Sequence, residues 1–347
     1  MRTQMLTLAV FLFAGSVLLA ADSTAGNRAR PWFGVHLMLN GGRDAAALTE
    51  QVPKLAALGV NVVILEVNYG FQFQSHAELG SGGGLSKQAA RDVAAACRKA
   101  GIRPIPQFNC LGHQSWAGRT SVLLTKHPEL DETPGQFPEN KGIYCRSWCP
   151  LHPDVNKVIF ALMDELIDAF GADAFHVGMD EVFLIGSEHC SRCKGRNAAE
   201  LFAKAVSDYH GHLVQERKVE MLMWGDRLLD GKATGYGSWE GAVNGTHPAI
   251  DMIPKDIIIC DWHYGKRSEY PSIPLFLEKG FRVWPGGWDK VDASEALMED
   301  AQRHRGDRML GHLCTIWGKV KIPELATFPP LLAAARRYAA SLPVQEQ

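Results

Sequence analysis

The stretch Asp173-Ala-Phe-His-Val-Gly-Met-Asp-Glu-Val-Phe183 decides how the whole chain is interpreted. Apolar residues alternate up to Gly178, as in a half-buried β-strand, and the acids Asp180 and Glu181 follow almost at once. Taken alone, two adjacent acids usually mark a solvated loop. In a confined site, however, neighbouring carboxylates repel, so one of them would keep its proton near neutral pH and act as an acid. Asp180 and Glu181 are therefore the first candidates for acid–base catalysis.

On either side of this stretch, strand-like apolar runs alternate with amphipathic, helix-like runs. The predicted strands cover residues 32–38, 60–67, 102–108, 174–178, 220–224, 257–262, 281–285 and 309–317. The predicted helices cover residues 44–58, 86–100, 156–170, 198–215, 273–279 and 293–304. Four helices are followed by a glycine that would end them, at Gly59, Gly101, Gly171 and Gly280. The alternation predicts an α/β fold, a (β/α)8 TIM barrel in a single domain.

An open, doubly wound sheet is the alternative fold. It is disfavoured because Gly41-Gly-Arg-Asp44, after the first predicted strand, lacks the Gly-x-Gly-x-x-Gly pattern of dinucleotide-binding sheets. Residues 1–21 combine a positive charge at Arg2, an apolar run and small residues at Ala20 and Ala21, which is typical of a signal peptide. The predicted organisation is a signal peptide (1–21), a barrel domain (22–340) and a C-terminal tail (341–347).

A signal peptide predicts export to the periplasm or the extracellular space. No later apolar run is long enough for a membrane span. The formal net charge of -2 becomes -3 when Arg2 is lost with the leader, which disfavours nucleic acid and favours a neutral or weakly charged substrate. The sequence carries no signal that fixes an oligomeric state.

The eight cysteines form two sets. Cys145 and Cys149 are four residues apart, and Cys190 and Cys193 are three apart, so these four could form two disulfides or a closed zinc site. The other four fall in apolar segments and are expected in the core, namely Cys97, Cys110, Cys260 and Cys314.

Polar and aromatic residues gather where the predicted strands end, which is the end at which barrel enzymes bind their substrates. They are Glu66, Asn68, Asn109, His113, Asp180, Glu181, Trp224, Asp226, Asp261, Trp262, His263, Tyr264, Trp284, Trp288 and Trp317. Each tryptophan taken singly could be core packing. Several at one end favour a sugar ligand, because indole faces stack on sugar rings while nearby polar groups bind the hydroxyls.

Histidines at the same end raise the alternative of a metal-dependent hydrolase. His113 and His176, with Asp261 or His263, could bind a catalytic metal. No His-x-His or His-x-x-x-His pair stands at a strand end, so neither a catalytic metal nor another cofactor is predicted. Hydrogen-bonding roles are expected for these histidines instead.

The motif His176-Val-Gly-Met-Asp-Glu181 resembles the His-x-Gly-x-Asp-Glu signature of family 20 glycoside hydrolases, the β-N-acetylhexosaminidases. Ile105-Pro-Gln-Phe-Asn-Cys-Leu-Gly-His113 is similar to the family's stretch after its third strand, and Cys149-Pro-Leu-His-Pro-Asp-Val155 to the segment before the signature. Trp224-Gly-Asp226 and Trp317 match aromatic positions after strands five and eight. The resemblance covers most of residues 30–320.

The resemblance implies a barrel that removes N-acetylhexosamine from glycans with the substrate's own acetamido group as nucleophile. Glu181 would be the acid and base, and Asp180 would hold the acetamido N–H. The implied substrate contacts are His113, His176, Trp224, Asp226, Trp262, Tyr264, Trp284 and Trp317, with Glu66 as a replacement contact.

Several positions depart from the family pattern. No arginine stands near the end of the first strand, Trp317-Gly-Lys319 replaces Trp-x-Glu, and Asn109 replaces an aspartate. Glu66, Asn68 or His36 would then supply other contacts to the sugar. These departures keep open a carbohydrate-binding barrel without catalysis, or a glycosidase with another sugar specificity.

Overall fold

The structure is a computed structural model that describes residues 30–341. The predicted signal peptide and residues 342–347 of the predicted tail lie outside this range. Residues 32–341 form one compact unit. No helix within residues 30–341 has both the length and the apolar character that crossing a bilayer requires.

Eight parallel strands close into a barrel in the order in which they follow along the chain, and the first strand pairs with the eighth. Their bounds are Trp32–Met38, Val62–Glu66, Arg103–Cys110, Ala174–Gly178, Glu220–Trp224, Ile258–Trp262, Arg282–Gly287 and Gly311–Ile316, named below as the first to the eighth strand. The predicted (β/α)8 barrel is confirmed. The strand ends differ from the predicted ones by no more than two residues.

Helices cover the outside of the barrel. They span Gly42–Ala57, Lys87–Lys99, Val155–Phe170, Ala198–His210, Ser272–Glu278, Val291–Arg303 and Pro329–Ser341. The four glycines predicted to end helices all have positive φ, with Gly171 at 55° in the left-handed conformation of a helix end. The final helix was not predicted. It packs onto the core through an apolar stripe that includes Leu331, Ala334 and Tyr338.

The barrel interior is packed with side chains, and Trp284 belongs to this packing. Its ring lies edge-on to Trp32, the first residue of the first strand, at a centroid distance of 5.0 Å. Trp284 is fully buried. The prediction that it contacts substrate is wrong, because its side chain fills the interior toward the amino-terminal end of the strands, opposite the mouth.

Long loops build the mouth of the barrel. Residues 111–154 follow the third strand, residues 179–197 the fourth and residues 225–257 the fifth. The first loop is held by a buried ion pair between Arg146 and Asp131, at 2.6 Å, and Arg146 also donates to the carbonyls of Gln136 and Phe137. Such anchoring fixes the loop residues that reach the site.

Gly34, in the first strand, leaves the space that Trp284 occupies. A Cβ at position 34 would lie 2.2 Å from the Trp284 ring, so Gly34→Ala should lower the free energy of unfolding by about 1–3 kcal/mol through overpacking. Urea unfolding measures this change. Gly42→Ala is the matched control, because a Cβ there meets no heavy atom within 4 Å. Equal urea midpoints for Gly34→Ala and the parent would contradict the packing described.

Candidate active site

A sharp turn of the backbone follows the fourth strand. Gly178, Met179 and Glu181 all have positive φ, at 68°, 74° and 50°. A Cβ at position 178 would lie 2.6 Å from Asn109 Oδ1, so both the backbone conformation and the close approach require glycine there. Met179 and Glu181 adopt a conformation that costs free energy for residues with side chains. This turn brings the neighbouring acids Asp180 and Glu181 to one histidine.

His113 lies between the two acids. Its Nε2 is 3.2 Å from Asp180 Oδ2 and 3.3 Å from Glu181 Oε2. Burial opposes a charge on this ring, but the negative charge of Asp180 and hydrogen bonds to both acids raise the pKa of His113 well above its ordinary value. An imidazolium therefore separates two carboxylates that would otherwise repel. The second oxygen of Asp180, Oδ1, is buried without a hydrogen-bond partner.

Asp226 holds the backbone of Glu181 in place. Its Oδ2 accepts hydrogen bonds from the Glu181 backbone N–H at 2.9 Å and from Arg227 Nε at 2.7 Å, and its Oδ1 accepts one from Trp262 Nε1 at 3.3 Å. Burial raises the pKa of Asp226 to about 6, although Arg227 opposes the shift. Asp226 was predicted to contact substrate. The structure places it 2% exposed, as a positioning residue beneath Glu181.

Trp262, Tyr264, Trp288 and Trp317 form one wall of the mouth. Trp317 Nε1 donates to the Tyr264 hydroxyl at 2.6 Å. The ring of Tyr264 lies 4.8 Å from that of Trp262 and 5.1 Å from that of Trp288. Burial raises the pKa of Tyr264, so its hydroxyl stays protonated and can donate a hydrogen bond. All four residues are among those that the sequence placed at the strand ends, and the structure groups the three tryptophans around Tyr264.

Three other predicted contacts lie in the floor of the site. Trp224 and His176 are fully buried, with ring centroids 4.6 Å apart, and Glu66 is 4% exposed. His176 Nδ1 accepts the Gly178 backbone N–H at 3.0 Å, which orients the start of the sharp turn. Glu66 accepts hydrogen bonds from Gln107, Asn68 and Asn109, and lies 3.0 Å from His36 Nε2. Trp224 Nε1 and His176 Nε2 are buried without hydrogen-bond partners, whereas the carboxylate of Glu66 is bound by its neighbours. The contacts of these three residues with substrate stay predictions.

The loops of the mouth carry a second aromatic group, the rim, which was not predicted from the sequence. Tyr144 lies at its centre, with ring centroids 5.8 Å from Trp116, 5.6 Å from Phe183 and 5.0 Å from Trp239. The Tyr144 ring also lies 5.9 Å from that of His113, which places the rim beside the acid pair. Trp116 and Trp239 are 62% and 51% exposed. Both tryptophans lie in loops, whereas the prediction considered only residues at the strand ends. Tryptophans in otherwise polar loops were nevertheless a signal of a binding surface.

Two anchors fix the loop that carries Trp239. The fully buried Arg227 donates to the carbonyls of Ser238, Trp239 and Gly241. Glu240, which follows Trp239 in the sequence, accepts a hydrogen bond from the Tyr264 N–H at 3.1 Å through Oε1. Its Oε2 lies 2.8 Å from His263 Nδ1. The loop is thereby tied to the sixth strand and its end.

His263 is held between two carboxylates, Glu240 on one side and Asp261, at 3.0 Å, on the other. The structure thus gives this histidine a structural role in place of the metal ligation considered from sequence. Within the described residues, two groups of side chains have the spacing of metal ligands. One consists of His113, Asp180 and Glu181, and the other of Glu132, Cys149, Cys190 and Cys193.

Cys145 is not part of the second group. Its Sγ donates instead to the backbone carbonyl of Glu181 at 3.7 Å. All eight cysteines lie in the described part of the chain and are free thiols there. The four cysteines that the sequence grouped by spacing therefore do not converge on one point.

A closed (β/α)8 barrel with paired acids in an aromatic mouth is an architecture suited to hydrolysing carbohydrates. Residues 48–284 match the model of the glycosyl hydrolase family 20 catalytic domain. The chain belongs to this family, as the resemblance of its motifs implied.

Two curated relatives are similar to the chain. A beta-hexosaminidase of Vibrio furnissii is 23% identical over 200 residues, which cover 57% of this chain and 29% of that protein. Hexosaminidase D of Bos taurus is 23% identical over 253 residues, covering 71% of this chain and 66% of that protein. The chain thus spans less than two thirds of either relative.

Solved structures show the same fold. The chitobiase of Flavobacterium johnsoniae superposes with a TM-score of 0.65 at 19% identity, covering 88% of this chain and 48% of the chitobiase. At this identity the likeness concerns the fold alone.

The ion pairs of His263 make stability depend on pH. Burial opposes its charge, but Asp261 and Glu240 raise the pKa of His263 from 6.5 to about 9. The extra stability is therefore complete below pH 6.5 and is lost as pH rises through about 9, a change of up to about 3 kcal/mol. Urea unfolding between pH 6 and pH 9.5 should show this loss. His263→Gln should flatten it, and an unchanged slope in that variant would contradict the assignment.

Proposed function

We propose that the protein is an exported β-N-acetylhexosaminidase that removes terminal N-acetylglucosamine or N-acetylgalactosamine from glycans with retention of configuration. The nucleophile is the substrate's own 2-acetamido carbonyl oxygen, as family 20 enzymes form an exception to the two-carboxylate scheme. Family membership and the names of the relatives support the sugar class. The observation that carries the mechanism is the buried, unpaired Oδ1 of Asp180 beside Glu181.

Glu181 is the proton donor and acceptor in this proposal. In the first step it protonates the glycosidic oxygen while the acetamido oxygen attacks the anomeric carbon and the aglycone leaves. In the second step the Glu181 carboxylate removes a proton from water as the water oxygen bonds to the anomeric carbon. The bond between that carbon and the acetamido oxygen breaks, which restores the acetamido group. The hydrogen bond from the Glu181 backbone N–H to Asp226 fixes the backbone of this residue, and His113 Nε2 lies 3.3 Å from Oε2 of its side chain.

Asp180 stabilises the positive charge that develops on the acetamido nitrogen. Its free Oδ1 accepts the N–H of the substrate, while Oδ2 stays on His113. The imidazolium of His113 lies between Asp180 and Glu181 and offsets the negative charge that the pair carries. Because charge develops between fixed groups in a partly buried site, little reorganisation accompanies the reaction.

The two aromatic surfaces bind different sugar units of the substrate. The wall of Trp262, Tyr264, Trp288 and Trp317 is half-buried or buried and suits the sugar ring that is cleaved off. The exposed rim of Trp116 and Trp239 suits the next sugar of the glycan. Asn109 and Lys319 stand where the family pattern has an aspartate and a glutamate, so the contacts to the outer sugar hydroxyls differ. The preference between N-acetylglucosamine and N-acetylgalactosamine therefore depends on residues particular to this chain.

Substitution of the two acids tests the mechanism. Glu181→Gln should lower kcat on aryl N-acetylglucosaminides by at least about 10²-fold through loss of the proton donor. Asp180→Asn should lower it by about 10²-fold or more through loss of the charge at the acetamido nitrogen. Initial rates on aryl glycosides with and without the acetamido group measure both effects. The wild-type protein should cleave only the acetamido sugars.

Glu188→Gln is the matched control, because Glu188 is an exposed acid on the same loop that pairs with Lys194 at 3.1 Å. It should retain the parent rate. Full activity of Glu181→Gln, or equal cleavage of glucosides and N-acetylglucosaminides, would overturn the proposal. Sugar binding by calorimetry with no product release would instead identify a carbohydrate-binding barrel.

The role of the rim is tested at Trp239. Trp239→Ala should lower kcat/KM for a disaccharide of N-acetylglucosamine by about tenfold, the value of one aromatic stacking contact. N-acetylglucosaminyl fluoride has no second sugar, so its kcat/KM should stay close to that of the parent. Trp239→Phe should recover most of the loss. An equal decrease for both substrates would show that Trp239 acts on the catalytic groups and not on the second sugar.

A further inference from the structure

A cluster of three thiols and one carboxylate lies apart from the acid pair. One ligand atom from each of Glu132, Cys149, Cys190 and Cys193 lies within 4.8 Å of all the others. All four side chains are buried. None of them has a part in the mechanism proposed above.

The backbone brings these residues together from two loops. Asp131 forms an antiparallel bridge with Trp148, so Glu132 and Cys149, which follow them in sequence, lie diagonally on the same face of the paired segments. The other two thiols stand on the turn Cys190-Ser-Arg-Cys193, which the Cys190 carbonyl closes by accepting the Lys194 N–H at 2.9 Å. Glu132 Oε1 connects the segments by accepting the Ser187 N–H at 2.8 Å.

The spacing of the sulfur atoms fits a metal better than a disulfide. Cys149 Sγ lies 3.4 Å from both Cys193 Sγ and Cys190 Sγ. A disulfide requires about 2.05 Å. Sulfur atoms bound tetrahedrally to zinc at about 2.3 Å lie about 3.8 Å apart, which is close to the observed separation. One disulfide would also leave the third thiol of the cluster unpaired.

Glu132 supplies an independent observation. The residue is fully buried, and its Oε2 has no hydrogen-bond partner. A buried carboxylate oxygen without a partner is costly, and a cation in the cluster would remove that cost. Carboxylate oxygen is also a ligand that zinc accepts alongside thiolates.

We propose that Glu132, Cys149, Cys190 and Cys193 bind one Zn²⁺ ion as a closed structural site. Three thiolates and one carboxylate complete a tetrahedron and leave no position for water or substrate, which is the pattern of structural zinc. Binding displaces the thiol protons to solvent, so it strengthens as pH rises.

The site has a defined place in the fold. It joins the loop after the third strand, which also carries His113 and Tyr144, to the loop after the fourth strand, which carries Asp180 and Glu181. Zinc here fixes the two halves of the acid site relative to each other while taking no part in the chemistry.

Metal content of the reduced, full-length protein tests the proposal. After purification with a thiol reductant and equilibration with zinc sulfate, followed by desalting, mass spectrometry under native conditions should find about one zinc ion per chain. Cobalt(II) in place of zinc should give the intense absorption of thiolate-to-cobalt charge transfer. Less than about a tenth of an ion per chain, with no such absorption, would overturn the proposal.

Variants distinguish a built site from adventitious binding. Cys193→Ser should lose the ion, and Glu132→Gln, which keeps the shape of the side chain, should lose it to a chelating dye at least about tenfold faster than the parent. Cys145→Ser is the matched control, because Cys145 is a buried thiol of the same loop outside the cluster, and it should keep the ion. Equal zinc content and equal release rates in all three variants would contradict the assigned ligands. These readouts do not depend on glycosidase activity, so they stand apart from the function proposed above.

Discussion

The acid site depends on one electrostatic arrangement, a charged imidazole held between two adjacent carboxylates. Asp180 and Glu181 are neighbours in sequence and share a partly buried mouth, where their charges would repel strongly. His113 lies within 3.3 Å of both and offsets that repulsion. Because its Nε2 engages one oxygen of each acid, the remaining oxygens are left for a substrate. The same contact thus holds the acids together and leaves them usable.

The surrounding structure keeps this arrangement in place. The left-handed turn from Gly178 to Glu181 fixes the two acids at the end of the fourth strand, and Asp226 holds the backbone of Glu181 from the fifth. Arg227 donates both to Asp226 and to the Trp239 carbonyl, so it connects Asp226 to the loop that carries Trp239. The contact of Asp226 with Glu181 joins the ends of the fifth and fourth strands, and that of His113 with the acids joins the third to the fourth. The site is therefore a product of the closed barrel and cannot form on one segment.

The sequence was sufficient for the barrel and for the place of the acid pair at the end of the fourth strand, because both follow from local patterns along the chain. It was not sufficient for the position of the Trp284 side chain. Strand alternation indicates that a residue points into the barrel, but it does not show how close to the mouth that residue packs. It also missed Tyr144 and Trp239, which reach the mouth through long loops. The zinc ligands illustrate the same limit. Spacing favoured Cys145, whereas a strand-like bridge between Asp131 and Trp148 brings Glu132 to the cluster instead.

Binding of a thiazoline analogue of the bicyclic intermediate tests the central claim most directly. This molecule carries the ring that the acetamido group would form, so it binds tightly only where an acid is placed to hold its nitrogen. Calorimetry should show binding to the wild-type protein and a decrease in affinity of about 10²-fold for Asp180→Asn. No binding to the wild-type protein, or equal affinity for both proteins, would contradict the role assigned to Asp180 beside Glu181.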